Sequence, residues 1–293
     1  MKGLKPKMTT AFLMLMALLM LFPLIVTVTN SFMSSSEIAD NYSSYDGETE
    51  ENKFFSIKLI PRSVTIRQYY DVLIAKSKFL RMFWNSVFVV LPIVAGQVII
   101  SSMAAFVFAK VKFKGRDFLF FIYIIIMMMP FQVTLVPNYI TLDLLGLIDR
   151  YSAIIFPGVF GAFGVFLLRQ FMMTIPNEYI EAARIDGCSL MQIFFKIVLP
   201  ISKGGIASLA ILSFIDNWNM VEQPLIFLKD ANKYPLSIYL ANVNKGELGI
   251  AFAAALIYML PMLLMFLYGE NYLVEGISHS VINDKGVDQV EHI

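Results

Sequence analysis

The sequence predicts an all-α, polytopic membrane protein with six transmembrane helices and a helix–turn–helix elbow on one membrane face. Three observations carry that prediction. Apolar residues make up 58% of the 293-residue chain and charged residues only 15%, where a water-soluble domain carries about a quarter charged. The apolar residues gather into stretches of the roughly 20 residues that a helix needs to cross a bilayer. Between two such stretches lies a short charged segment, residues 177–200, with a glycine at its centre.

Six stretches are long and apolar enough to span: about 9–29, 82–109, 118–137, 151–173, 204–228 and 250–269. The first follows Lys2, Lys5 and Lys7, as a signal peptide would. Its apolar run is too long for an h-region and no small-x-small cleavage site follows, so it is expected to stay as a span. Orientation follows from Lys and Arg near the span ends. The N-terminus holds three lysines, and the loop between spans two and three packs Lys110, Lys112, Lys114 and Arg116 together. Both place the N-terminus and that loop in the cytoplasm, although residues 53–81 carry seven basic residues on the outside in this scheme. Six spans then put both termini in the cytoplasm of a cell-membrane protein. The expected division is 1–33 for the N-terminal tail and first span, 34–80 for an extracytoplasmic loop, 81–272 for the core and 273–293 for a cytoplasmic tail. Asn41-Tyr42-Ser43 in the external loop fits a glycosylation triplet of a kind common by chance.

Several function classes are excluded. A net charge of +1 gives no sign of nucleic-acid binding. Cys188 is the single cysteine, so no disulfide forms within the chain, and with only His279 and His292 beside it no metal site is expected. No cofactor is implied. There is no G-x-x-x-x-G-K-[ST] loop to cradle phosphates, so any ATP is handled by another chain.

The charged segment reads NEYIEAARIDGCSLMQIFFKIVLP. Asn177 is a plausible N-cap, and Glu178 and Glu181 favour the positive end of the helix that follows. Ala182 and Ala183 keep one surface shallow enough for another protein's backbone. Gly187 can take the left-handed conformation that ends a helix. A second helix over about 189–198 places Leu190, Ile193, Phe194, Ile197 and Val198 at helical spacing, and Pro200 closes it. A solvated connector with an amphipathic helix would explain the second helix but not the first.

The spacing E-A-A, three residues, G, nine residues, I-x-L-P resembles the "EAA" signature of permease subunits of ATP-binding-cassette importers. Here it comprises Glu181, Ala182, Ala183, Asp186, Gly187, Ile197, Leu199 and Pro200. The likeness extends over about 60–273 and is strongest to the maltose-type carbohydrate branch. It includes LIPRSVTIRQYYDVL, Asn85-Ser86, AAFVFAKVKFKGRD, LGLIDRYSAIIFP and WNMVEQPLIFL. It implies the type I importer fold and a role outside enzymology. The elbow, with Glu178 and the signature residues, would seat in a cleft of an ATPase, Glu181 meeting a basic residue there. The implied partners are a second permease forming a heterodimer, two ATPase subunits and an extracellular solute-binding protein that delivers a carbohydrate. Departures are Lys203-Gly204-Gly205 after the elbow, Tyr234-Pro235-Leu236 after the fifth span and an atypical C-terminal tail. A polyol or glycerophosphodiester importer, or a non-transporting membrane anchor for an ATPase, is the alternative.

Ionisable groups at membrane depth usually face a bundle interior or a water-filled cavity. In the fifth span Asp216, Asn219 and Gln223 fall at i, i+3 and i+7 on one helical face, with Trp218 and Glu222 beside it. Acid, amide and indole suit a hydroxyl-rich solute, although the same residues could hydrogen-bond between helices or flank a kink at Pro224. Gly158, Gly161 and Gly164 point to close helix packing. The external loop 229–249 presents Tyr234, Tyr239 and Asn242, and by resemblance it meets the solute-binding protein.

Overall fold

A computed structural model of the chain describes residues 4–42, 58–75, 77–241 and 248–287. The described residues are mostly helical and hold no β-strand beyond one antiparallel bridge between Met33 and Val64. In order, the helices are α1 (Leu4–Ser31), α2 (Ser35–Tyr42), α3 (Arg67–Tyr70), α4 (Ser77–Lys110), α5 (Arg116–Met128), α6 (Phe131–Leu144), α7 (Ser152–Val159) and α8 (Ala162–Met173). There follow α9 (Asn177–Ile185), α10 (Leu190–Ile193), α11 (Leu199–Ile201), α12 (Lys203–Trp218), α13 (Glu222–Phe227), α14 (Leu236–Ala241) and α15 (Leu248–Val287).

Four helical stretches are long and apolar enough to cross a membrane: Met8–Ser31, Ser77–Lys110, Ser152–Met173 and Leu248–Glu270. Two bent pairs, α5 with α6 and the α10–α11 run with α12, raise the number to six if each pair is one span. The third expected span, about 118–137, is bent by 100° between α5 and α6. Pro130 is the cause: it lacks an N–H and forces Met129 into an extended conformation (φ −69°, ψ 127°). The fifth, expected as one helix over 204–228, ends at Trp218 and restarts at Glu222. A continuous helix would drive the ring of Pro224 into the preceding turn. The break places Pro224 in the first turn of α13, where its missing N–H costs no intrahelical bond. Asp216, Asn219 and Gln223 therefore do not share one helical face. The last helix also runs on to Val287, well past the expected end near 269.

The chain divides into two compact units. The first comprises residues 1–83 and 238–261. Here the segment after α1 folds back on the end of that helix. The Gln68 side chain donates to the Met33 carbonyl, the Thr65 N–H donates to Phe32 O (2.9 Å), and the Arg62 N–H donates to Glu37 Oε1 (2.9 Å). Asn41 is buried beside Met33, which argues against its modification, and Ser43 of that triplet lies outside the described residues. The apolar side chains of α1 point outward, Met20 at 74% exposure, as a span that meets lipid requires.

The second unit comprises residues 84–237 and 262–293, and glycines set its spacing. Gly158, Gly161 and Gly164 lie against Ile93, Gln97 and Ser101 of α4, which recur every fourth residue. Gly96 returns the contact, because a Cβ there would sit 2.7 Å from Val159 Cγ2. Such small-residue stripes let two helix backbones approach where lipid offers no hydrophobic drive. A Cβ at Gly164 would lie 2.5 Å from Ser101 Oγ and 3.1 Å from Ser101 Cβ, and the latter atom cannot swing aside. Gly164→Val is therefore expected to destabilise the unit by about 1–3 kcal/mol, read as a lower thermal unfolding midpoint of the purified protein. An unchanged midpoint would show that the two helices are not in the close contact described.

Candidate functional site

Three features of the second unit bear on function: an anchored elbow, a polar cavity and a clamp at the end of α4 remote from the elbow.

The elbow is built from two reciprocal caps placed back to back. At the end of α9, Gly187 adopts φ +79°. The Cys188 N–H reaches the Ala183 carbonyl (2.9 Å) and the Gly187 N–H the Arg184 carbonyl (3.0 Å), the paired bonds of a Schellman ending. One residue later Ser189 caps α10. Its Oγ accepts from the Gln192 N–H (3.3 Å) while Gln192 Oε1 accepts from the Ser189 N–H (2.8 Å), a capping box. The turn is thereby fixed on both sides. Asn177 is not the cap expected from the sequence. It occupies the first helical position after Pro176, and its side chain accepts from Lys110 Nζ (3.1 Å), which also donates to Ile175 O. Nor does Pro200 end the second helix, which widens into a π-turn over Phe194–Val198 and continues to Ile201. Widening the turn ahead of a proline relieves the clash with the preceding carbonyls.

One side of the elbow is buried in its own protein. Ile180, Ala183, Ile193, Phe194 and Val198 pack with Phe106 of α4, Leu168 and Met172 of α8 and Leu209 of α12. Ala183, read from sequence as clearance for a partner, is thus an internal contact, and Ile197 and Leu199 are half-buried against the same cluster. The other side carries Glu178, Glu181, Ala182, Asp186, Gly187 and Pro200, all exposed. Ile185, 86% exposed, stands among them, an apolar side chain in a charged setting that the sequence reading passed over.

The cavity, about 620 Å³, opens between α4, α5, α6, α7, α8, α12 and α13. Its polar wall includes Gln97, Thr134, Asn138, Ser213, Asp216 and Asn217, with Gln223 beside them. Gln97 is seated by the glycine stripe and accepts from the Ser213 hydroxyl, which in turn accepts from Asn217 Nδ2 (3.3 Å). Of the five path residues expected from sequence, Asp216 and Gln223 reach this wall. Trp218 is buried and stacked on Phe214. Asn219 donates to Ile215 O and Met262 Sδ, and Glu222 accepts from Gln132. Gln97, Asn138 and Ser213 were legible only as isolated polar residues in apolar runs.

The clamp joins the start of α4 to residues 227–236. Asn85 Nδ2 donates to the carbonyls of Asn232 (2.7 Å) and Tyr234 (3.0 Å), and its Oδ1 accepts from Tyr151 (2.8 Å). Ser86 Oγ accepts from the Leu236 N–H (2.8 Å). Asp149, held at φ +62°, accepts from the N–H groups of Lys229 and Asp230 and from Lys233 Nζ (2.7 Å). The Lys233 ammonium first, and then those amides, bring the Asp149 carboxyl down to about 2. Its pairing is therefore complete above the ordinary carboxylate range and is lost only as pH falls through about 2. Of the loop residues expected to meet a partner, Tyr234 is half-buried in the adjoining core and Tyr239 packs edge-on to Phe79. Asn242 lies outside the described residues.

Residues 97–272 match the family described as "Binding-protein-dependent transport system inner membrane component". An arabinooligosaccharides transport system permease protein of Halalkalibacterium halodurans is 30% identical over 267 residues, 89% of this chain and 91% of that protein. An sn-glycerol-3-phosphate transport system permease protein of Pectobacterium atrosepticum is 34% identical over 204 residues, 68% and 73% of the two chains. A chain from a crystal structure of a bacterial ABC transporter involved in the import of the acidic polysaccharide alginate superposes with a TM-score of 0.78, at 23% identity, covering 92% of this chain and 96% of that one. It shares the fold.

The clamp generates a prediction of its own. Asn85→Ala leaves two carbonyls and the Tyr151 hydroxyl without their shared partner, at a cost of about 1–3 kcal/mol. The measurement is thermal unfolding alongside limited proteolysis, with new cleavage expected within residues 229–236. A variant as stable and as resistant as the parent would mean that Asn85 holds nothing.

Proposed function

This chain belongs to the family of binding-protein-dependent transport system inner membrane components, and we propose that it is the permease subunit of an ATP-driven importer that moves a sugar or oligosaccharide across the cell membrane. In this reading it is not an enzyme: separate ATPase subunits hydrolyse ATP, and a solute-binding protein delivers the cargo. It pairs with a second, different permease, two ATPases drive the pair, and both termini lie in the cytoplasm. The arabinooligosaccharide relatives support the sugar reading. The sn-glycerol-3-phosphate relatives support a phosphorylated polyol as the alternative.

The observation that carries the proposal is the elbow's division into an anchored and a free side. Ile180, Ala183, Ile193 and Phe194 fasten it to three membrane helices, while Glu178, Glu181, Asp186 and Ile185 face outward. A segment so mounted can receive a push from an ATPase and pass it to α4, α8 and α12. Asp216 and Gln223 line the solute path, with Trp218, Asn219 and Glu222 supporting the broken helix beside it. The loop after α13, including Tyr234, Tyr239 and Asn242, meets the solute-binding protein.

Glu181→Lys and Gly187→Pro are expected to leave the protein in the membrane yet uncouple it. The first reverses the charge offered to the ATPase. The second removes the Gly187 N–H donor and demands a φ near −65° where the structure has +79°. Solute-stimulated ATP hydrolysis in reconstituted complexes should drop to the unstimulated rate; full stimulation in both variants would defeat the docking role. For the outer loop, Asn242→Cys in a Cys188→Ser background should crosslink to the docked binding protein. No crosslink at any reagent length would remove that residue from the contact.

A further inference from the structure

The cavity wall has an uneven chemistry. Among the described residues that line it, the polar side chains are amides and hydroxyls, from Gln97, Thr134, Asn138, Ser213, Asn217 and Gln223, and the one charged group is the Asp216 carboxylate. No Lys, Arg or His is among the described residues that line it. Among the described residues no hydrogen bond or ion pair engages Asp216. The lysine on the same helix, Lys203, is thirteen residues away, about 20 Å along the axis at 1.5 Å per residue. Lys233 in the clamp is bound to Asp149. Glu222, the chain neighbour of Gln223, is a second carboxylate outside the cavity lining, contacted by the neutral amide of Gln132 (3.3 Å).

An unpaired carboxylate within a span is costly unless it faces a water-filled space, and Asp216 is exposed at the wall of a cavity large enough to hold water. Water in that space can be exchanged for solute hydroxyls, which donate to the carboxylate and both donate to and accept from the amides. A phosphate or carboxylate solute would gain the amide donors but meet Asp216 with no cation to offset it. In a confined site of reduced dielectric that repulsion is much stronger than in water. Specificity of this kind rests on a repulsive element as much as an attractive one.

We infer that the cavity admits uncharged, hydroxyl-rich solutes and that Asp216 is the group that disfavours anionic ones. The inference rests on the reading of the cavity as the solute path and decides between the two cargo classes left open above: neutral saccharide over phosphorylated polyol.

The test uses the native scarcity of cysteine. In a Cys188→Ser background, Thr134→Cys places a reporter thiol on the cavity wall, on α6. The protein is assembled with its partner permease and ATPases. Modification of this chain is then followed by mass spectrometry with a cationic (trimethylammonioethyl) and an anionic (sulfonatoethyl) methanethiosulfonate, each rate normalised to a small free thiol. The expected result is a cation-over-anion preference of about tenfold or more. Asp216→Asn should abolish it and Asp216→Glu retain it, in complexes that co-purify with the ATPases. A reporter that reacts with both reagents at equal normalised rates, with Asp216 in place, overturns the charge selection and leaves the path reading standing. A reporter that reacts with neither overturns the path reading, and this inference with it.

Discussion

The approach of α4 to the α7–α8 pair is the contact on which the rest of the second unit depends. Gly158, Gly161 and Gly164 present a flat strip to Ile93, Gln97 and Ser101, and a side chain at any of the three would have to displace its neighbour. The strip does more than save space. It seats the Gln97 side chain over Gly161 so that its carbonyl meets the Ser213 hydroxyl of α12. Through that bond three membrane helices share one polar point at the cavity wall. At its two ends the same α4 holds the clamp through Asn85 and the start of the elbow through Lys110. Displacing α4 by one methyl group's width would therefore disturb both ends as well as the cavity.

Much of this was legible in the sequence, for identifiable reasons. Long apolar runs announce membrane helices because the bilayer leaves backbone groups no other partner. Gly187 announced its turn because its φ of +79° lies where other residues are strained. The glycine stripe was readable as packing, but not what it packed against, since the opposing residues lie some 65 positions earlier. The polar face of the fifth span misled for a physical reason. Periodicity assumes an unbroken helix, and Pro224 is accommodated by stopping α12 at Trp218 and starting again. The break sends Trp218 into the core and leaves Asp216 and Gln223 at the cavity from two different helices. The clamp was not legible as a contact: Asn85-Ser86 and the stretch around Asp149 carried the resemblance, but nothing in the sequence joins them to each other or to Lys233 until the fold brings them together.

The elbow shows how rigidity and exposure are combined in one short segment. Two caps in succession satisfy the helix-end groups that would otherwise seek water, so the turn at Gly187 has little freedom left. The π-turn before Pro200 lets the second helix keep its register on the core despite a residue that cannot donate. What remains outside is the charge of Glu178, Glu181 and Asp186 together with apolar side chains, of which Ile185 is the most exposed and Tyr179, Met191 and Phe195 are further members. A loop needing only to connect two spans would gain nothing from this construction, whereas a segment that transmits force must not bend at its own turn.

Breaks in the membrane helices fall where function would use them. Three elements that bound the cavity are interrupted: α5–α6 at Pro130, α7–α8 at Gly161 and α12–α13 between Trp218 and Glu222. The residues beside these breaks, Met129, Phe131, Gly161 and Gln223, stand at the cavity wall. An interrupted helix frees backbone polar groups, which within a membrane must find partners or line a hydrated space. Breaks therefore collect around a cavity, and a cavity is the place where breaks cost least. The elbow-bearing core, by contrast, draws on unbroken stretches of α4, α8 and α12. Continuous helix at the elbow and interrupted helix at the cavity is the distribution that the proposed coupling between the two would need.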